Sequence, residues 1–161
     1  MAVDMFIKIG DLKGESQDKQ HKDEIDVLSW SWGMSNSGSA HSGSGAGSGK
    51  VDVQDLGFTK YMDKASPSLL LSCCSGKHFP QATLVVRKAG DKPVEYCKIK
   101  LTQVLISSVT TGGSSSGGDR LTEVVKLNFG KVSVDYTPQS DDGKPGTAIP
   151  MGWDIAANAQ P

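Results

Sequence analysis

The chain has 161 residues, with 17 basic against 18 acidic side chains and a formal net charge of −1. That length fits one domain with a core of its own. The balanced charge gives no basic surplus of the kind that draws a protein to nucleic acid or to an anionic membrane surface.

Val3, Met5, Ile7 and Ile9 alternate with Asp4, Phe6 and Lys8, a period of two that predicts a first strand stopped by Gly10. No apolar run near the start reaches the roughly 7–15 residues of an export signal or the ~18 of a membrane helix. The expectation is a soluble chain with no cleavable signal peptide and no direct membrane insertion. Asp11–Glu24 is highly charged and carries Gly14, so it reads as a solvated loop or edge.

The organising stretch follows, EIDVLSWSWG over Glu24–Gly33. In a strand, residues two apart share a face, so Leu28, Trp30 and Trp32 form an apolar face and Val27, Ser29, Ser31 and Gly33 the opposite one. Each indole offers roughly 150–250 Å² for burial, which marks Trp30 and Trp32 as the core-organising pair. Ser29 and Ser31 must then face something that tolerates small hydroxyls.

Ser35–Gly49 holds six serines, five glycines and no Asp, Glu, Lys or Arg. Such composition is usual in linkers, but too little chain precedes it for a separate domain, so it reads as a long excursion at 35–49. Val51, Val53, Leu56 and Phe58 mark another strand. The period then changes. Ser66 is the expected N-cap, with Pro67 at the first helical position, an apolar run through Cys74 and Gly76 as the stop, giving one short α-helix near residues 67–75. Ala82–Lys88 reads as a strand with Leu84 and Val86 on one face, and Ala89–Lys92 as a turn. Val94–Val109 is a long strand whose apolar face switches near Gln103-Val104, a sign of a bulge or bend. Leu121, Val125, Leu127 and Phe129 form the next face. Past Gly130 the set shifts to Val132, Val134 and Tyr136, a second bend. Met151–Ile155 is the last strand. The fold class is mainly β, a β-barrel or two-sheet sandwich, in a single domain over 1–161.

Chemistry-bearing motifs fail one by one. Gly49-Lys50 lacks both the earlier glycine and the following Ser or Thr of a phosphate loop, because Ser44 and Val51 stand there. Gly113–Gly117 has the letters of a nucleophile elbow around Ser115, but it joins two strands within a low-complexity run. Cys73, Cys74 and Cys97 form neither a disulfide framework nor a zinc spacing, and read as buried inert thiols. No catalytic, cofactor-binding or metal-ligating set emerges, and no cofactor is expected. The residues alone describe a β-barrel that is a binding module, a structural subunit or, last, an enzyme.

Further motifs narrow this. Met5–Ile9 with Gly10-Asp11 and Gly14–Ser16, Ile25–Leu28 leading into Trp30–Gly33, Phe58–Tyr61 with Asp63-Lys64, Ser75–His78, Arg87–Gly90, Leu127–Phe129, Val134–Tyr136 and Gly152–Ile155 occur in this order. Over nearly the whole chain the pattern resembles the Hcp (haemolysin-coregulated protein) family, the tube protein of bacterial type VI secretion. The resemblance implies a β-barrel, six copies in a closed ring, rings stacked into a hollow tube, and a contractile sheath that drives tube and spike outward. Partners would be further copies of the chain, sheath and spike proteins, and small effectors carried in the lumen. The subunit would assemble in the bacterial cytoplasm and then be secreted. The resemblance places Ser29 and Ser31 on the lumen wall, although a solvated outer face is the ordinary setting for such serines. Ring stacking or subunit contacts are expected from Ser37, Gly38, Ser39, Ser42, Gly45 and Ser48 and from Gly90 and Asp91 at the tight turn. The alternative is a stand-alone β-sandwich binding module for sugar or protein, which would run as a monomer.

Overall fold

The computed structural model describes residues 3–37, 50–88 and 93–161. Ten strands and one helix follow in order: β1 (Val3–Ile9), β2 (Ile25–Asp26), β3 (Ser29–Ser31), β4 (Met34–Ser35), β5 (Asp52–Val53), β6 (Leu56–Tyr61), α1 (Ser66–Ser75), β7 (His78–Lys88), β8 (Val94–Gly112), β9 (Thr122–Tyr136) and β10 (Ile149–Asp154). The main sheet runs β2-β1-β7-β8-β9-β6-β3, with β10 also on β9, and β4 and β5 form a separate pair.

The two ends of that sheet are one piece of chain. β2 pairs with β1 and β3 with β6, yet only Val27 and Leu28 separate them. The Val27 N–H donates to the Met5 carbonyl at 3.0 Å and the Leu28 N–H to the Thr59 carbonyl at 2.8 Å. The sheet therefore closes on itself as a barrel, which leaves no free edge there. The crossing also corrects the predicted face. Val27 is buried and Leu28 is 41% exposed, because the switch of partner interrupts the alternation between them. Trp30 and Trp32 lie half-buried against the core.

Core side chains come from every layer of the barrel: Ile7, Ile25, Phe58, Leu84, Leu101, Ile106 and Leu127, each almost without exposure. Burial of each contributes roughly 1.5–3 kcal/mol. The two bends read in the sequence are one line across three strands. Pairing is interrupted at Pro80, Gln103 and Gly130 with the register unchanged on either side, since Phe79 pairs with Val104 and Gln81 with Thr102, and Val104 with Phe129 and Thr102 with Lys131. Gln103 takes φ 57. A Cβ on Gly130 would stand 2.5 Å from Gln103 Oε1, so the glycine lets the Gln103 amide lie across the bend, and a side chain there would push it aside. The buried row moves from Leu101 to Val104 on β8 and from Phe129 to Val132 on β9.

Four expectations are corrected in detail. Ser66 is not the N-cap of α1; Ala65 holds that position without a side-chain bond, and the capping carboxylate is Asp63, whose Oδ1 accepts the Ala65 N–H at 3.0 Å. Gly76 ends the helix as predicted, at φ 69 with its N–H on the Ser72 carbonyl. Asp11–Glu24 is tied down rather than solvated. Backbone bonds join Gly14 to Asp23 and Ser16 to Glu24, and Ser16 and His21 are buried. Leu121 is exposed, and Glu123 takes its place in the buried row of β9. Of the three cysteines, Cys74 is exposed, and Cys73 and Cys97 are half-buried. Burial pushes the Cys97 thiol up, so it stays protonated near neutrality.

Candidate functional site

The outward face of β3, β6 and β9 is built by strict alternation. Trp30 pairs with Phe58 on the inner side; Ser29 faces Thr59 and Ser31 faces Gly57 on the outer side. β9 continues both rows, with Val124 beside Thr59 and Lys126 beside Gly57. The result is two parallel rows, Ser29–Thr59–Val124 and Ser31–Gly57–Lys126, both open to solvent. Gly57 sets the depth. A Cβ there would lie 3.8 Å from the Lys126 stem and 3.9 Å from Ser31 Oγ, so its absence leaves a hollow between hydroxyl and ammonium. That hollow opens into a groove of about 490 Å³ bounded by Ser31, Asp52, Gln54, Asp55, Gly57 and Lys126.

The groove's rim is fixed by polar contacts. Asp55 accepts from Ser107 Oγ at 2.6 Å and from Asn128 Nδ2 at 3.0 Å. Trp32 donates its indole N–H to the Gln54 carbonyl at 3.0 Å and tilts against Phe129 at 6.2 Å. The tryptophan thus holds the chain where it returns at Gln54. Ser29 and Ser31 meet on this face with Thr59 and Lys126, which the sequence reading missed; their positions follow only once β3, β6 and β9 are known to be neighbours. Ser37 is exposed. Gly38, Ser39, Ser42, Gly45, Ser48, Gly90 and Asp91 lie outside the described residues.

A second polar cluster is sealed inside. Lys60 Nζ lies 2.8 Å from Glu123 Oε2, 2.9 Å from Asp63 Oδ1 and 3.0 Å from Ser66 Oγ, and the Lys60 and Glu123 side chains are 0% exposed. Ser66 Oγ donates to Glu123 Oε2 at 2.8 Å and accepts the Asp63 N–H. A lysine on a serine hydroxyl is the pairing that activates some nucleophiles. Here the hydroxyl proton is engaged by Glu123 and Ser66 is 2% exposed, so no substrate can reach it. The cluster joins α1 to the ends of β6 and β9. Its signal in the sequence is two opposite charges, Lys60 and Glu123, in otherwise apolar rows that pair in register.

A third cluster sits at the rim. Arg87 binds Asp18 and, at 3.4 Å, Asp4, and lies over the Phe6 ring at 5.0 Å. Phe6 stacks on His21 at 4.6 Å, whose ring nitrogens reach Glu24 at 2.9 Å and Glu95 at 2.8 Å. The Arg87 guanidinium holds the Asp18 carboxyl below its usual range. These contacts, with their charges paired in place, fasten residues 14–24 onto β1 and β7. Ser115 lies in an exposed turn where Ser114 and Ser116 bond to each other. Among the described residues no group of three or more His, Cys, Asp or Glu could hold a metal. No described helix is long and apolar enough to cross a membrane.

A closed barrel with a small hydroxylated face, and with its strongest charges locked in structural contacts, defines a building block for assembly. The profile described as "Type VI secretion system effector, Hcp" matches residues 6–136, and the chain belongs to the Hcp family. The protein hcp1 of Pseudomonas aeruginosa is 67% identical over 162 residues, covering 99% of both chains. A solved type six secretion system protein superposes with a TM-score of 0.93 at 37% identity, over 99% of this chain and 100% of the other. Hcp1 of Salmonella typhimurium gives 0.82 at 42% identity, over 99% of each.

Proposed function

We propose that this chain is the repeating subunit of the inner tube of a type VI secretion system, with six copies in a closed ring and rings stacked into a hollow tube. It is a structural protein rather than an enzyme. Membership of the Hcp family supports the ring and the tube. The observation that carries the reading of the wall is the outward face of β3, β6 and β9, where Ser29, Ser31 and Thr59 stand with Gly57, Val124 and Lys126 on a rigid barrel. Repeated six times around an axis, Ser29 and Ser31 line a lumen that gives passing cargo hydroxyls, with the Lys126 ammonium beside them. Small effectors are the cargo, and the sheath and spike proteins of the apparatus are the outer partners. The ring assembles in the cytoplasm and leaves through the apparatus.

Rings stack through the uncharged run Ser37, Gly38, Ser39, Ser42, Gly45 and Ser48 and through the turn at Gly90 and Asp91. A neutral Gly/Ser segment approaches a neighbour's backbone closely, and each hydroxyl bond contributes only about 0.5–1.5 kcal/mol. Sixfold repetition gives adhesion that still comes apart. Light scattering and negative-stain electron microscopy of the purified chain, and of one shortened between Ser37 and Ser48, test both levels. The intact chain is expected as a ring of six 17.0 kDa subunits, and the shortened one as a closed ring that stacks poorly. A monodisperse monomer from the intact chain overturns the reading, and loss of the ring on shortening overturns the axial assignment.

A further inference from the structure

An exposed apolar stripe on a helix that carries no charge marks a face that a partner covers. α1 turns Ser66, Leu69 and Ser72 into the barrel. On its other side Pro67, Leu70, Leu71 and Cys74 recur at i, i+3, i+4 and i+7, and all four are exposed, Leu71 at 68%. No charged residue interrupts Ser66–Ser75, while Lys64 and Lys77 bracket it.

The far end of β9 shows a matching surface. α1 sits by Glu123, near the start of that strand, and Tyr136 is its last residue. There Cys97 pairs with Tyr136, Ile149 with Tyr136 and Met151 with Val134. Partners in register share a face, so these side chains continue the row that holds Ile99 and Val132 in the core. Beyond the closed part of the barrel the row emerges uncovered, with Tyr136 at 51%, Ile149 at 61% and Met151 at 40% exposure. The connection between Tyr136 and Ile149 is net acidic, Asp141 and Asp142 against Lys144.

We infer that the outer stripe of α1 in one copy covers the Tyr136–Ile149–Met151 patch of the next copy, as the contact repeated around the ring. The inference rests on the ring reading above and names its interface. A cyclic assembly needs two different surfaces on each subunit that fit one another. These two are both apolar, lie at opposite ends of β9, and carry opposite charge at their margins. An uncharged apolar centre inside a charged rim is the usual anatomy of a lasting contact.

The test uses Leu71→Asp and Ile149→Asp in the full chain, each at a position exposed in the single subunit, with circular dichroism to check the fold. Wild type is expected at ring mass by light scattering at micromolar concentration, and each variant alone at monomer mass. An equimolar mixture of the two variants is expected to give a dimer and nothing larger. The intact stripe of one then covers the intact patch of the other, and no further surface remains to pair. Either variant at full ring mass, or a mixture that stays monomeric, overturns the inference while the ring itself stands. Wild type at monomer mass overturns the ring reading instead. If an aspartate variant fails to fold, Leu71→Ser and Ile149→Ser carry the test. Each is expected to raise the concentration at which half the rings dissociate by at least tenfold, and an unchanged midpoint overturns the inference.

Discussion

The barrel treats charge in two ways, and the contrast between the Lys60 cluster and the Arg87 cluster shows what burial does to an ion pair. Lys60 and Glu123 are fully enclosed beneath α1. Arg87 is nearly enclosed, but its partners Asp18 and Asp4 keep 23% and 42% of their side-chain surface in solvent. In the first cluster each charge depends on the other, because water cannot replace a lost partner. In the second, water takes up most of what a substitution removes. The sealed cluster holds an element in place, and the rim cluster trims the position of a loop.

The largest expected effect breaks the sealed side. Lys60→Ala leaves the Glu123 and Asp63 carboxylates in a dry site, and the expected loss is about 3–5 kcal/mol, read from urea unfolding. Replacing the pair together, Lys60→Met with Glu123→Leu, is expected to recover most of that loss. A Lys60→Ala chain within about 1 kcal/mol of wild type would mean that water enters this end, and the contrast would fail.

The rim cluster is sharpened by pH. The Asp18 carboxyl is held below its ordinary 3.8, first by the hydrogen bond from Arg87. A carboxyl lowered on folding contributes stability above its unfolded value, and that contribution is lost as pH falls through the folded value. Acid unfolding of wild type is therefore expected to steepen below about pH 4, and Arg87→Ala is expected to flatten that part of the curve while changing stability at pH 7 much less than Lys60→Ala does. Parallel curves for the two chains would remove Arg87 as the cause.

The smallest effect concerns the open face. A Cβ at Gly57 meets only ordinary contacts, with Lys126 and Ser31 at 3.8 and 3.9 Å. Gly57→Ala is expected to change stability by no more than about 0.5 kcal/mol, to leave the ring closed, and to narrow the hollow between Ser31 and Lys126. A large drop in the urea midpoint would mean that this face is packed rather than open.

These clusters mark the limit of what the chain revealed before folding. Alternation at Ile7 and Ile9 and in Val125–Phe129, and the face switches at Gln103 and Gly130, were legible because they are local, whereas Phe6, read onto the polar face, is buried under His21 and Arg87, and Val3 is exposed. Leu28 was misplaced because its exposure depends on which strand lies on each side of it. Ser66 has the residue type and position of a cap, but a stronger partner, Lys60 with Glu123, claims its hydroxyl. Lys60 and Glu123 are 63 positions apart, and only the β6–β9 register brings them together. The same holds for the groove, where Ser31 was visible and Gly57 and Lys126 were not.

The closure at Val27-Leu28 also sets an order of events during synthesis. β1 waits for β7, and β3 waits for β6, whose other edge is filled only by β9 at Thr122–Tyr136. A nascent chain can pair β3 with β6 early, but the far edge of β6 stays open, and Trp32 lacks Phe129, until β9 has been translated. Pairings so distant along the chain slow folding toward the millisecond-to-second range. The barrel therefore closes only once β9 has been made, and until then the Trp30–Trp32 segment is the part of the nascent polypeptide that a chaperone has most reason to hold.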